Sequence, residues 1–149
     1  MKRLTTLLAT ATLTGLLSTT AMAASLNGTQ WQSIDDKTKE KKAVIKMTES
    51  NGVVTGTIIK LNDASKAKEV CSKCEGSLKN KPIVGLPILT KLKADGKNSW
   101  SGGDLVDPES GKVYGGTVKL AEDGKTLKLT GNIKGIPFLK RSQTWTRVK

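Results

Sequence analysis

Histidine is absent from all 149 residues, and cysteine occurs only twice. These gaps remove whole classes of chemistry. A nucleophilic Ser or Cys needs a base beside it, and histidine usually supplies one. A zinc centre wants about four Cys, His or carboxylate ligands, and Cys71 and Cys74 provide two. No catalytic residue, metal ligand or cofactor site is therefore assigned, and the chain is read as non-enzymatic. Aromatic residues are also scarce: Trp31, Trp100, Trp145, Tyr114 and Phe138 are the whole set. A few large anchors must organise a core otherwise made of Val, Ile and Leu. Without stacking platforms, Asp107 and Glu109 do not suggest a glycosidase pair. Two acids are also too few for calcium, which takes about 6–8 oxygens. Asp107-Pro108-Glu109-Ser110-Gly111 instead has the composition of a turn.

The N-terminus predicts a compartment. Lys2 and Arg3 precede a mostly apolar stretch, Leu4 to Leu17, and Ala21-Met22-Ala23 gives a small-x-small cleavage pattern. The stretch is too short to span a bilayer as an anchor. Residues 1–23 are expected to be a signal peptide, in preference to a buried N-terminal helix. The mature chain then starts at Ala24, has no transmembrane segment, and is periplasmic or secreted. Residues 24–149 are the length of a single domain. The formal net charge of +12 falls to +10 when Lys2 and Arg3 leave. In that compartment such a charge suits anionic envelope components, such as lipid head groups or acidic glycans. Nucleic acid is not an expected partner, because the lysines are spread over turns and strand faces and are not interleaved with aromatics.

Periodicity along the mature chain is two. Leu127, Leu129, Gly131 and Ile133 alternate with Thr126, Lys128, Thr130 and Asn132, which is a half-buried strand. Tyr114 to Leu120 alternates likewise, and Ala121-Glu122-Asp123-Gly124 joins the two as a hairpin turn. Further strands are expected at 29–34, 42–48, 53–61, 83–93, 99–106 and 141–148. The fourth should bend at Gly85-Leu86-Pro87, Ala94 to Lys97 should be a turn, and Gly135 to Lys140 should be a loop around Pro137. Residues 62–81 form the longest irregular stretch. About eight antiparallel strands with short connections predict an all-β, up-and-down, eight-stranded barrel, whose closure removes exposed edges.

Cys71-Ser72-Lys73-Cys74 lies in the irregular stretch. A redox pair would want a helix N-terminus in a βαβ setting, and haem attachment would want His where Glu75 stands. A structural disulfide in an oxidising compartment is the plain expectation, with redox activity or shared metal binding as alternatives.

Gly28-Thr29-Gln30-Trp31 near the start and Trp145-Thr146-Arg147 near the end resemble the calycin or lipocalin arrangement. There, a first-strand Trp closes the barrel floor under an Arg from the far end of the chain. The resemblance implies that Trp31 packs against Arg147, in preference to Arg141. The spacing departs from the usual Gly-x-Trp. More of the chain resembles a family of small secreted bacterial proteins of unknown function with a lipocalin-like barrel. The matching residues are Trp31, Cys71 to Cys74, Pro82 to Leu86, Trp100 to Gly103, Asp107 to Tyr114 and Arg141 to Val148. This resemblance implies a fold and a compartment.

Two functions follow as expectations. The first is binding of a small apolar or amphipathic ligand inside the barrel, lined by Val54, Leu86, Ile88, Trp100, Tyr114, Val118, Leu127 and Leu129. The alternative is a basic envelope interaction module, with a solid barrel that binds anionic lipid or glycan through its outer surface.

Overall fold

The structure is a computed structural model that describes residues 24–149. The signal-peptide expectation for residues 1–23 lies outside the described residues. Eight strands run in chain order: β1 (Gln30–Ile34), β2 (Lys41–Ser50), β3 (Val53–Leu61), β4 (Pro87–Gly96), β5 (Ser99–Val106), β6 (Val113–Leu120), β7 (Thr126–Ile133) and β8 (Ile136–Arg147). Each pairs antiparallel with its sequence neighbours, and β1 pairs with β8, so the sheet closes into an up-and-down barrel. Among the described residues no helix is long and apolar enough to cross a membrane.

The alternation in the sequence sets which face turns inward. In β2, Ala43, Ile45 and Met47 are buried while Lys46 is exposed. In β7, Leu127 and Leu129 are buried while Lys128 is exposed. Tight turns fix the register. Asn51 and Gly52 join β2 to β3 with φ of 51° and 74°, the positive pair that a two-residue hairpin turn of matching twist requires.

The barrel is plugged at one end. Leu26 and Trp31 have no exposed surface, and Met47, Leu92, Trp100 and Leu127 are buried. Each such apolar side chain contributes about 1.5–3 kcal/mol by leaving water. The Trp31 indole Nε1 donates to Thr29 Oγ1 at 2.8 Å, and that hydroxyl donates to the Leu26 carbonyl at 2.6 Å. The buried polar handle of the Trp is thereby satisfied.

The other end is covered by the long β3–β4 connection, residues 62–86. It contains two single-turn 3-10 helices, Ala64–Lys66 and Gly76–Leu78. Cys71 and Cys74 are joined as a disulfide and are buried. A bridge from Val70 to Pro82 draws the segment back on itself. The segment packs on the β5–β6 turn, where Cys71 Sγ lies 3.5 Å from the Pro108 carbonyl oxygen. Gly111 makes this approach possible: a Cβ there, at φ 72°, would lie 1.9 Å from the Lys73 carbonyl oxygen.

Three boundaries differ from the sequence expectation. Residues 83–86 are a turn that ends the covering segment, and β4 starts only at Pro87. There the Ile58 and Leu86 backbones hydrogen-bond, with Ile58 N–H donating at 3.0 Å. β4 continues to Gly96, so the β4–β5 turn is Lys97-Asn98 alone. At the other edge, Ile136 pairs with Ile133 and begins β8, where a loop to Lys140 was expected. The ladder then jumps, because the next pair is Asn132 with Lys140, so residues 137–139 bulge out. Pro137 cannot donate to a ladder, which agrees with an interruption at this point.

Candidate functional site

Beneath the covering segment the barrel holds a cavity of about 670 Å³ that is partly open to solvent, so this is the open end of the barrel. Its inner wall is apolar: Ile58, Ile88, Leu105, Val106, Leu129 and Trp145 contribute. Strands β3, β4, β5, β7 and β8 hold these side chains, so the wall stands on the rigid sheet and not on loops. Ile83 from the covering segment closes over it. Trp145 donates its indole N–H to Gln143 Oε1 at 3.0 Å, leaving its ring face as apolar surface.

Of the eight side chains expected to line a ligand site, Ile88, Tyr114 and Leu129 face this cavity. The other five do not. Val54, Leu86, Trp100, Val118 and Leu127 are each no more than 3% exposed and belong to the packed core. For Val54, Trp100 and Leu127 the reason is height along the barrel, whereas Leu86 sits at the cavity end, buried where the covering segment meets Ile58, and Val118 is paired beside Leu129. Leu127 and Leu129 share a face, yet one lies in the plugged half and the other two residues further up, where the space opens. Period two reports the face and not the height. The sequence reading missed Ile58, Leu105, Gln143 and Trp145. For β8 a signal existed: Arg141, Gln143 and Trp145 alternate onto one face, grading from charged to apolar.

The mouth is charged. Arg141 stands in it with three carboxylates around its guanidinium. Its Nε donates to Asp36 Oδ1 and Oδ2 at 3.1 and 3.2 Å, and Nη2 donates to Asp36 Oδ1 at 2.7 Å. Nη1 reaches Asp107 Oδ2 at 3.4 Å, and Asp35 Oδ2 lies 3.7 Å from Nη2. These hydrogen bonds from Arg141 hold the Asp36 carboxyl below the usual carboxylate range. Reciprocally, the Asp36 carboxylate stabilises the charged guanidinium. Asp35 is also held low, chiefly by the backbone N–H groups of Thr38 and Lys37. Lys42 bridges Glu40 at 3.1 Å and Glu109 at 3.5 Å, which ties the β1–β2 turn to the β5–β6 turn.

Asp107 also holds its own turn together. Its Oδ1 accepts from Glu109 N–H at 3.0 Å, and its Oδ2 accepts from the Ser110 hydroxyl at 2.8 Å. The segment is a turn, as its composition indicated.

Six carboxylates line the cavity: Asp35, Glu40, Asp63, Glu69, Asp107 and Glu109. Four cations join them, Lys41, Lys42, Lys66 and Arg141, leaving a formal charge of −2. The chain as a whole carries 25 basic and 13 acidic residues. Acids are therefore concentrated at the cavity against the sign of the molecule.

At the plugged end, Arg147 is the Cα partner of Trp31 across the β1–β8 seam, whereas Arg141 lies at the opposite, open end.

A solved structure described as "Protein HP1028 from the human pathogen Helicobacter pylori belongs to the lipocalin family" is similar to this chain. The TM-score is 0.71 at 25% sequence identity, and 85% of each chain is covered. No curated protein matches. The chain's eight-stranded closed barrel is thus lipocalin-like. Residues 29–147, from the Thr29 that holds the Trp31 indole to the Arg147 that meets it across the seam, match one family model. The chain belongs to that family, described as "Uncharacterized protein conserved in bacteria (DUF2147)".

Proposed function

We propose that this protein is a non-enzymatic carrier that holds a small apolar or amphipathic molecule inside its barrel. The observation that carries the reading is the cavity of about 670 Å³ with an apolar wall and a charged mouth. Ligand sites typically measure about 300–1,000 Å³, mostly apolar with a few placed polar groups. An envelope module with a solid barrel is less well supported, because the upper half of this barrel is hollow. The carrier works outside the cytoplasm, in the periplasm or secreted. The disulfide Cys71–Cys74 and the N-terminal cleavage pattern at Ala21-Met22-Ala23 support that placement.

The mouth bears on the head group of the ligand. An arginine in a barrel usually invites a carboxylate, through a bidentate pair. Arg141 already makes that pair with Asp36, and Asp107 takes another donor. A second anion would have to displace them and enter a region of formal charge −2. A neutral or cationic head group meets no such opposition.

Native mass spectrometry on protein purified gently from its own host tests the carrier reading. The expected result is a co-purifying small molecule released on denaturation. Empty protein, with no mass released, would count against it.

A further inference from the structure

The largest exposed apolar side chains cluster on one projection. Phe138 is 91% exposed, Leu139 54% and Ile136 45%. All three lie at the tip of the β7–β8 hairpin, beside Arg141 and so at the open end of the barrel. They are also where the ladder fails: between the pairs Asn132–Lys140 and Ile133–Ile136, residues 137–139 bulge out of the sheet. A strand that packed against its own barrel would have no use for an apolar bulge facing water. Val70 and Val84, on the covering segment, add apolar surface at the same end.

Exposed charge at this end is mostly positive. Lys37, Lys39, Lys66, Lys68, Lys112 and Lys140 are exposed on the turns and strand ends of this face. Glu40, Asp63, Glu69, Glu75 and Glu109 are exposed at this end too, but Lys73, Lys81 and Lys134 join the six lysines and outnumber them, so the outer rim is positive although the acids gathered at the cavity leave its lining negative. The plugged end is different. Its β6–β7 turn carries Glu122 and Asp123, and Glu122 pairs with Lys97 at 3.5 Å. The barrel therefore has a cationic, apolar-tipped end and a balanced one.

We propose that the β7–β8 hairpin tip docks the open end of the barrel onto an anionic lipid bilayer. Phe138 and Leu139 enter the interface, and the surrounding lysines meet the head groups. Lysines near such a surface are attracted to its negative potential, and an aromatic placed at the boundary adds its buried area. A bilayer accepts a narrow projecting tip, whereas a protein partner needs a matching hollow or a broad flat patch. Docking by this end presents the cavity mouth to the membrane. The proposal goes beyond the carrier reading and does not depend on the cavity being filled.

Flotation of the purified protein with cargo-free vesicles tests it. One set contains phosphatidylglycerol and phosphatidylethanolamine, and the other phosphatidylcholine alone. The protein should float with the first set and not the second. Binding should weaken as salt is raised well above 0.1 M, where the screening length is about 10 Å. The double variant Phe138→Ser, Leu139→Ser should bind about tenfold more weakly, and Val148→Ser, at the plugged end, should bind like the parent. Phe138→Trp should show a blue-shifted emission component on the anionic vesicles only. The idea is overturned if the parent ignores lipid charge, if the double variant floats like the parent, or if its only effect is to dissolve a dimer. Because the vesicles contain no cargo, none of these results bears on whether the cavity carries a ligand.

Discussion

The guanidinium carbon of Arg147 lies 5.7 Å from the centroid of the Trp31 ring, directly across the seam that closes the barrel. Arg147 also donates to the carbonyls of Gly124 and Lys149, each at 3.3 Å. The Arg is exposed while the Trp is fully buried, so the pair belongs to the weaker, solvated kind of cation–π contact. Arg147→Ala should lower stability by about 0.5–1 kcal/mol. Arg147→Lys should keep the charge but lose the flat stacking, and fall between. Denaturant titration of both variants against the parent checks the order. Equal midpoints for all three would mean that Arg147 adds nothing to closure.

The Arg141 cluster predicts an acid-sensitive mouth. Asp36 has a folded-state pKa below its ordinary 3.8. Its contribution is therefore fully present above about pH 4 and is lost as pH falls through the lower, folded value. Stability measured from pH 5 downward should decline, and Asp36→Asn should flatten that decline while lowering stability at neutral pH. Removing the cation is worse, because Arg141→Ala leaves Asp35, Asp36 and Asp107 facing one another. These side chains are roughly a quarter or less exposed, so a cost of about 1–3 kcal/mol is expected. If Arg141→Ala melts with the parent at neutral pH, the cluster is not stabilising.

Much of this fold can be read from residues alone, and the reasons are local. Alternation from Thr126 to Ile133 and the Asn51-Gly52 dipeptide act over a few positions. So does the Asp107 turn, whose hydrogen bonds stay within its own segment. The cavity is not local. Val118 and Leu129 are Cα partners facing the same interior, yet only Leu129 reaches the 670 Å³ space. What separates such positions is how far the large side chains of the plugged end fill the section, which depends on contacts from six or more strands. The acidic mouth is hidden for a similar reason. Asp36 and Arg141 are 105 residues apart, and nothing in either segment announces the other. The start of β8 is not legible because Pro137 marks a break in the ladder, and the strand resumes on both sides of it.

Gly111 is where the covering segment is vulnerable. Any side chain there would meet the Lys73 backbone, and φ of 72° is itself costly for an L residue. Gly111→Ala should therefore cost at least about 1–3 kcal/mol. It should also lift the disulfide loop from the β5–β6 turn. Cleaving the Cys71–Cys74 bond by Cys71→Ser with Cys74→Ser is a gentler change, since the closed loop is short and its entropic effect small. Hydrogen exchange should show faster exchange at Cys71 N–H and Asn80 N–H, which lie within this segment, in Gly111→Ala more than in the double serine variant. Parent-like protection in Gly111→Ala would show that the segment is not held by that contact.

Ile88 offers a way to separate the cavity from the stability of the barrel. It lines the hollow half and lies on β4, a strand fixed on both sides. Ile88→Trp should direct added volume into empty space, at less than the roughly 1–3 kcal/mol typical of overpacking a filled core. Leu127→Ala makes the opposite test. Leu127 is fully buried in the plugged half and away from the cavity, so truncation should cost about 2–5 kcal/mol while leaving the hollow intact. A neutral apolar probe such as N-phenyl-1-naphthylamine should brighten on binding the parent and Leu127→Ala, and fail to brighten with Ile88→Trp. Dodecylamine should then displace the probe at lower concentration than dodecanoate, because the formal charge of −2 at the walls opposes a second anion. Exchanging Arg141 for Gln should widen that gap, by removing a cation that a carboxylate could otherwise compete for. If Ile88→Trp binds the probe as well as the parent, the probe sits elsewhere. If dodecanoate displaces first, Arg141 is free to leave Asp36, and the mouth selects for acids.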